Sequence, residues 1–561
     1  MGAWVKRRQD DAAAPSTSST AAVAETSSGK STTAAEQEAV GRLTSVEPGT
    51  LRGRPLRGAL GFVTVSGVFG SVWATAIGGA PFSLFARDLG ASAFQIGVLA
   101  ALPFIASLVS MPASLLTERT GARKKIFLIS LYAQRLLWLP IAVLPLWLFT
   151  AHGSHGPGSA AVLLFMGMIL LMHAAGAMGG PAWLSWMADV VPERVRGKYF
   201  SRRRQWGIVS AIPAALVVGF VLDRMTPAGA AGAAASAATL QWCAIIFLCA
   251  AVFGVIDIDM FRHVPDVRLA PRRSVPIRHL LGRPLRDPQF LWFGGFVATL
   301  TFAVSFMGQF VTFYLIEKIG VSGTGIQLML LVAPMLAQLI VLPIWGNAAD
   351  RMGKRPVLAI ASLGLVPVGL GWCFVGPGMH WLGYVLSVAG AALWTGVEVA
   401  NLNFVLELSG SDKGENGGSA YVAMNSVIIN VAGCLGGLSS GVIAKLLSHW
   451  HWDPGIAGIG SIGFYEVLFA LSGVLRLAAA VVFLPMLIEP RAGGAVETIR
   501  FMSANIYNNL FNAILSPLRM LKVQEPARAS RPGRAAAAAA AARASTGGEI
   551  TEQPRPLRQA A

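Results

Sequence analysis

The chain has 561 residues, of which 54% are apolar and only 13% are charged. A soluble protein carries about 25% charged residues, so this composition excludes a soluble multidomain enzyme; the high apolar fraction also excludes a chain that is disordered throughout. The net charge of +17 is compatible with binding to nucleic acid, with attraction to anionic lipid, or with the charge asymmetry of membrane-protein connectors.

Residues 1–57 are rich in Ala, Ser, Thr and Gly. Such a composition cannot bury enough apolar surface to fold, so we expect a disordered tail. No apolar stretch follows the basic residues near the N-terminus, which argues against a secretory signal peptide. The four cysteines lie within apolar runs and lack the spacing of a zinc site, so we interpret them as packing residues and expect no metal site.

Twelve long apolar runs follow the tail. A helix needs about 20 apolar residues to cross a membrane, and each run approaches or exceeds that length. The runs are 59–85, 94–116, 126–150, 160–187, 205–222, 239–261, 289–316, 325–347, 357–376, 380–406, 418–446 and 463–488. Most contain Gly or Pro, which a helix bundle in a membrane tolerates. The sequence therefore predicts an all-α membrane protein with twelve transmembrane helices.

The basic residues are distributed unevenly among the connectors. The five connectors from an even-numbered run to an odd-numbered one carry 21 Lys and Arg residues, whereas the others carry only a few. Cytoplasmic connectors collect Lys and Arg. We therefore predict that both termini are cytoplasmic and that the chain is integral to the cell (inner) membrane, with the lipid bilayer and not nucleic acid as the reason for its charge.

The longest connector, 262–288, is strongly basic and separates two sets of six helices, 58–261 and 289–489. Two halves joined in this way are typical of transporters. The connectors 2–3 and 8–9 also share a pattern of acid, Arg and Gly at an offset of 232 residues. In the first copy these residues are Glu118, Arg119, Gly121 and Arg123; in the second they are Gly346, Asp350, Arg351, Gly353, Lys354 and Arg355. An acid at a helix end can pair with Arg and with the first backbone donors of a neighbouring helix, so we expect both copies to form a conformational latch.

These connectors resemble those of the major facilitator superfamily (MFS), whose signature between helices 2 and 3 is G-x-x-x-D-[RK]-x-G-[RK]-[RK]. The copy at 346–355 matches it fully, whereas the first copy has Ser114, Glu118 and Ala122 in place of Gly, Asp and a basic residue. The resemblance covers about 58–489. It implies the MFS fold, with two six-helix halves, and a central cavity lined by helices 1, 4, 7 and 10.

Polar and aromatic residues on those four helices are the candidates for lining the cavity, because polar groups inside a membrane are costly and usually face the interior. They are Ser66, Trp73, His173, Trp183, Thr301, Ser305, Gln309, Trp394, Thr395, Glu398 and Asn401. The three tryptophans can stack on a sugar or an aromatic solute, or simply pack. The alternative for the stripe on helix 7 is hydrogen bonding between helices.

Glu398 is the acid of this set that lies far from a connector, so it is our candidate for proton coupling, the alternative being a structural partner for a polar neighbour. His173 can titrate near neutral pH or be a satisfied core histidine. Arg135 and Arg476 lie in mid-span on helices that are peripheral in the family, and we expect both to be structural or to snorkel. For Glu466, near the end of helix 12, we expect access to solvent.

The segment 490–561 is a predicted cytoplasmic tail. Apolar residues recur every four positions between Met502 and Leu518, which predicts an amphipathic helix that lies on the membrane or packs on the bundle. The remainder is interpreted as disordered.

The function predicted from these features is secondary active transport of a small solute by alternating access. Protons are the candidate coupling ion, no cofactor is expected and a monomer is favoured. One alternative is a solute sensor or receptor that has the fold but no net transport. Another is an integral-membrane enzyme, although the chain lacks a P-loop, an H-E-x-x-H motif and a clustered acid–nucleophile set. We therefore do not expect an enzyme.

Overall fold

The structure is a computed structural model that describes residues 53–152, 159–225, 233–266, 282, 284–410, 417–453, 461–489 and 492–504. Residues 1–52 lie outside the described residues, as do most of the connector 262–288 and everything after residue 504. The first helix of the described residues begins at Gly53. Residues 53–57, which we expected in the tail, are therefore helical.

Twelve helices in the described ranges are long and apolar enough to cross a membrane. We number them α1–α12: Gly53–Asp88, Ala93–Thr120, Arg123–Leu146, Ala160–Val190, Val195–Arg224, Ser236–His263, Pro288–Ile319, Gly323–Met352, Lys354–Phe374, His380–Leu408, Ala420–Leu446 and Phe464–Met486. Each overlaps one of the twelve apolar runs. The largest difference is at the start of α5, where the basic residues Arg202, Arg203 and Arg204 lie inside the helix and not in the preceding connector.

Two spans are interrupted where glycine breaks the helix. In α1 a helical segment ends at Ile77 and a second begins at Ala80, after Gly79 with φ of 61°. In α7 the first segment ends at Met307, and Gly308 separates it from the next. Glycine has no Cβ, so it adopts such backbone angles at little steric cost. Both breaks lie near the same end of the bundle.

The two sets of six spans pack by the same pattern. In the first set α1 contacts α5 and α6, α2 contacts α4, and α3 contacts α4 and α6. In the second set α7 contacts α11 and α12, α8 contacts α10, and α9 contacts α10 and α12. The equivalence is one for one after a shift of six spans, so the internal repeat seen in the connectors extends to the packing. All described residues belong to one compact unit.

The halves meet mainly through α2 against α11 and α5 against α8. We call the end of the bundle with the connectors 2–3, 4–5, 6–7, 8–9 and 10–11 the basic end, and the other the opposite end. Contacts between the halves concentrate at the opposite end. There α2 and α11 approach closely: a methyl group added at Gly97 would lie 2.3 Å from the Cα of Gly441. Small residues permit such close packing of membrane helices.

The chain continues after α12 into a helix at 495–504, which we call α13. Its start is tied to the connector 8–9, because Gly493 donates its backbone N–H to the carbonyl of Met352 at 2.7 Å. Arg351 of the connector lies over the ring of Phe501 at 5.6 Å. Met502, the first residue of the predicted amphipathic helix, packs against the apolar core of the last six spans; the part beyond residue 504 lies outside the described residues.

Candidate functional site

A buried ion pair lies inside the first six spans. Asp257, on α6, accepts a hydrogen bond from Arg135 Nη2 on α3 at 2.9 Å and from Ser66 Oγ on α1 at 2.7 Å. The side chains of Arg135 and Asp257 are only 8% and 6% exposed. Three helices are therefore joined through one carboxylate. Breaking such a pair by removing one partner is strongly unfavourable, because the other charge is left buried without compensation.

Aromatic and polar neighbours hold Arg135 in place. Its guanidinium lies over the ring of Trp73 at 3.4 Å from the centroid, and Nη1 donates to Gln134 Oε1 at 2.7 Å. Helix α6 makes room for this stack with Gly254, where an added methyl group would lie 2.5 Å from Arg135 Cδ and 2.8 Å from Trp73 Cδ1. Gly254 and Asp257 are three residues apart and therefore share one face of α6. One face of α6 therefore carries both the glycine that permits the Arg135–Trp73 stack and the carboxylate that pairs with Arg135.

A second arginine, Arg203, enters the same region from α5. Its Nε donates to the backbone carbonyl of Val63 at 3.0 Å, and its guanidinium lies 5.3 Å from the ring centroid of Trp183. The approach to α1 depends on Gly67, where an added methyl group would lie 3.0 Å from Arg203 Nε. The backbone of α1 and an aromatic ring of α4 therefore position this guanidinium.

These charges line two cavities that share Arg135, Arg203 and Asp257. The larger has a volume of about 560 Å³ and lies between the first half and α8. Its walls also include Arg204 and apolar or small side chains: Ala74, Phe200, Ile208, Ala211, Leu331 and Met335. The smaller, about 270 Å³, lies between α3, α4, α5 and α6. A volume of about 300–1,000 Å³ is typical of small-molecule sites.

The candidates on α1 and α4 are only partly brought together. Ser66 and Trp73 belong to the cluster around Asp257, and Trp183 lines the smaller cavity. His173 is half-buried and lines neither cavity.

The polar stripe on α7 lies in the packing of the helices. Thr301 and Ser305 are buried, and Ser305 Oγ donates to the carbonyl of Thr301 at 2.9 Å. A methyl group at Gly436 of α11 would lie 2.7 Å from Ser305 Cβ, so this side of α7 faces α11 closely. Gln309 is half-buried just after the break at Gly308. The stripe therefore faces a closely packed helix interface, but the hydrogen bond of Ser305 stays within α7 and does not join two helices.

The candidates on α10 do not form one buried face. Thr395 is buried and donates to the carbonyl of Ala391 at 2.8 Å. Glu398 is exposed, contrary to the expectation of a buried acid, and accepts a hydrogen bond from Trp394 Nε1 at 2.9 Å. Asn401 is half-buried. None of the four lines the two cavities described above.

In the first copy of the connector motif the buried charge is Arg123. This side chain is 1% exposed, and it donates to Asp189 Oδ2 at 2.7 Å and to Ser185 Oγ at 3.0 Å, both on α4. Glu118 is half-buried and Arg119 is exposed at the end of α2, and Gly121 makes the turn with φ of 63°. The ion pair therefore joins α3 to α4 within one half.

In the second copy the acid that caps the next helix is Glu489, after α12, and not Asp350. The Glu489 carboxylate accepts the backbone N–H of Lys354 at 2.9 Å and of Arg355 at 2.8 Å, an arrangement favoured by the positive end of a helix dipole. Gly353, with φ of 98°, lets the carboxylate approach. Lys354 Nζ also pairs with Glu407 of α10 at 2.5 Å. The motif residues outside this contact, Gly346, Asp350 and Arg351, are half-buried or exposed.

Of two buried charged residues in the last six spans, Arg476 has the contacts of the structural alternative, whereas Glu466 differs from the expected access to solvent. Arg476, on α12, is 4% exposed and does not reach the surface; it donates to the carbonyl of Leu365 at 2.9 Å and contacts Met307 Sδ at 2.9 Å. Glu466 is buried and not solvated, because Lys318 forms an ion pair with it and the backbone N–H of Gly463 donates to it.

The central residues that sequence reasoning missed are Asp257 and Arg203. Asp257 is an acid within a predicted span, and such a residue is itself a signal of function. It is missed because α6 is not one of the four helices that the resemblance assigns to the cavity. Arg203 falls in the connector 4–5 when the fifth span is taken as the apolar run 205–222. The resemblance makes Arg135 peripheral, whereas the structure places it at the wall of both cavities.

The sequence profile of the Major Facilitator Superfamily matches residues 62–437, which is more than half of the chain. The chain belongs to the Major Facilitator Superfamily. It is therefore an integral membrane protein of a transporter family, and the resemblance inferred from the connectors is confirmed.

Solved MFS transporters share the fold at low sequence identity. The nucleoside transporter NupG is 15% identical with a TM-score of 0.51, over 78% of this chain and all of that one. A bacterial homologue of the iron transporter ferroportin, in an inward-facing state, is 14% identical with a TM-score of 0.54, over 78% and 99%. The D-xylose–proton symporter is 16% identical with a TM-score of 0.52, over 78% and 98%. No curated protein sequence matches the chain at a significant level.

Proposed function

We propose that this protein is a secondary active transporter that moves a small solute by alternating access and couples the movement to protons at Asp257. The observation that carries the proposal is the buried Arg135–Asp257 pair at the wall of a cavity between the first half and α8. A membrane protein keeps such charges where they serve ion or substrate movement.

In this proposal, protonation of Asp257 changes the contacts of Arg135. Asp257 faces Ser66 from α1, Arg135 from α3 and, across the shared cavity wall, Arg203 from α5. Protonation removes the negative charge that holds Arg135, so the guanidinium becomes available to a solute. Loss of the proton restores the ion pair and competes with the solute. This competition is the link between proton and solute that coupled transport requires.

The packing supports one state of an alternating-access cycle. At the opposite end the halves are joined: Asp223 of α5 accepts the backbone N–H groups of Gly323 and Thr324 at the start of α8, at 2.5 and 3.0 Å. At the basic end, the pairs Arg123–Asp189 and Lys354–Glu407 each join helices of the same half. If the basic end is cytoplasmic, as the charge distribution predicts, this is the inward-facing state, in the cell (inner) membrane.

Glu398 stays a second candidate for proton coupling, and the two acids can be separated by experiment. Purified protein is reconstituted into liposomes, and a panel of solutes is tested for uptake with and without an imposed pH gradient. We expect uptake of at least one solute to rise with the gradient, Asp257→Asn to abolish this rise, and Glu398→Gln to retain it. The opposite result for the two variants assigns the coupling to Glu398.

The sensor alternative predicts a different outcome. A solute would then bind the purified protein but would not cross the liposome membrane under any gradient. Such binding without flux contradicts the proposal of transport, whereas flux contradicts the sensor. The same liposomes, solubilised and sized, test the expectation of a monomer.

A further inference from the structure

The charge of the larger cavity is unbalanced. Its lining holds the guanidinium groups of Arg135, Arg203 and Arg204 and one carboxylate, that of Asp257. Arg135 is engaged by that carboxylate, by Gln134 and by the ring of Trp73. The cavity therefore has an excess of positive charge, which favours an anion over a neutral solute or a cation.

Arg203 provides this positive charge in a fixed position. Its Nε is anchored to the carbonyl of Val63, and Trp183 lies beside it. Among the residues that the structure describes, Nη1 and Nη2 of Arg203 have no hydrogen-bond acceptor. A half-buried guanidinium with two unused donors has the geometry that binds a carboxylate by two parallel hydrogen bonds.

The other residues of the cavity wall indicate whether the non-charged part of the anion is polar or apolar. Apart from the charged residues the wall consists largely of small and apolar side chains, among them Ala74, Ile208, Leu331 and Met335. Its two hydroxyl side chains, Ser71 and Thr75, donate to backbone carbonyls of α1, the helix that carries them. Such a surface offers little to the hydroxyl groups of a sugar, but it buries apolar area, which is favourable by about 25 cal/mol per Å².

Resting on the transport function proposed above, we propose that the substrate is a small organic monocarboxylate with an apolar body, whose carboxylate is bound by Arg203. Its body lies against α5 and α8, so the solute contacts both halves of the protein. Arg204 adds a further link between the halves at this point, since it donates to Gln338 of α8 at 3.4 Å.

The test uses the purified full-length protein and measures the unfolding temperature against solute concentration. The probes are benzoate, phenylacetate and 4-methylpentanoate, each compared with its neutral amide. We expect at least one acid to raise the unfolding temperature in a saturable way and its amide to do so much less. Arg203→Gln should weaken the apparent affinity by about tenfold or more, because a charged hydrogen bond is lost.

Two controls separate binding from folding. Arg202→Gln removes an exposed arginine of the same helix that does not line the cavity, and should leave the affinity unchanged. Arg203→Lys keeps the charge but not the two parallel donors, so it should fold and still bind more weakly than the wild type. The inference is overturned if no acid binds, if the amides bind as well as the acids, or if both Arg203 variants keep the wild-type affinity.

Failure of this inference and failure of transport give different results. If the acids bind through Arg203 but do not cross liposome membranes, the substrate-binding site stands and the transport function fails. If a neutral solute is transported and Arg203→Gln does not change its uptake, transport stands and the carboxylate fails.

Discussion

The two halves of the protein repeat the same helix packing, but the buried arginine in each half has a different kind of partner. In the first half Arg135 is paired with Asp257 and lies at the wall of a cavity. In the second half Arg476 is equally buried, but its described contacts are a carbonyl oxygen and a methionine sulfur. Helix packing that is repeated in both halves therefore does not carry the same charged contacts in both. We infer that the first half carries the coupled site, whereas Arg476 serves packing.

The largest effect is expected from Asp257→Ala, because it leaves Arg135 buried without its partner. We expect the free energy of unfolding in a detergent titration to fall by about 3–5 kcal/mol. Asp259→Ala is the matched control two residues away. Its carboxylate is 40% exposed, pairs with Arg262 at 3.2 Å and accepts a hydrogen bond from Tyr132 at 2.9 Å, so its loss should cost about 1–2 kcal/mol, less than the loss of Asp257. Equal losses of unfolding free energy in the two variants would mean that the Arg135–Asp257 pair is not buried.

A smaller effect is expected from Gly254→Ala. The added methyl group meets the Arg135–Trp73 stack at 2.5 and 2.8 Å, and overpacking of this kind costs about 1–3 kcal/mol. Gly167→Ala, on α4, adds a methyl group that meets no atom within 4 Å, and should be neutral or slightly stabilising. Comparison of the two thermal unfolding curves tests the packing of the site, and a Gly254→Ala protein as stable as wild type would contradict it.

Asp223→Ala removes the contact between the halves at the opposite end. Loss of a carboxylate that caps a helix costs about 1 kcal/mol, so we expect the population to shift towards a state in which this end opens. Distances between spin labels in the connectors 1–2 and 11–12 should lengthen in part of the population. Asp350→Ala, an exposed acid at the basic end, should not change them. An unchanged distribution of spin-label distances in Asp223→Ala would mean that this contact does not hold the opposite end closed.

The smallest effect is expected from Arg476→Met. Within the part of the chain that the structure describes, no carboxylate loses its partner, and replacing a buried charge by an apolar side chain of similar size is often neutral or stabilising. Arg135→Met should instead destabilise the protein by about 3–5 kcal/mol, because it leaves Asp257 buried and unpaired. The difference between the two unfolding free energies measures the contrast between the halves, and similar losses would refute it.

The sequence predicts the twelve spans well because the membrane imposes long apolar runs whatever the tertiary structure. It fails where a charge lies inside a helix for a tertiary reason. Arg203 looks like part of a basic connector until α5 is seen to begin before it. The partners Arg135 and Asp257 are far apart in the chain, and no periodic pattern links them. The motif likewise points to Asp350 as the acid for the first backbone donors of a neighbouring helix, whereas in the structure Glu489, which lies outside the motif, accepts those of α9.

The most direct test of the central claim is solute-driven proton movement in proteoliposomes that contain a pH-sensitive dye. Wild type, Asp257→Asn, Asp259→Asn and Arg476→Met are compared with the same transported solute. We expect Asp257→Asn to abolish the proton signal, whereas Asp259→Asn and Arg476→Met should retain it. A proton signal that survives in Asp257→Asn, or is lost only in Arg476→Met, would contradict the assignment of the coupled site to the first half.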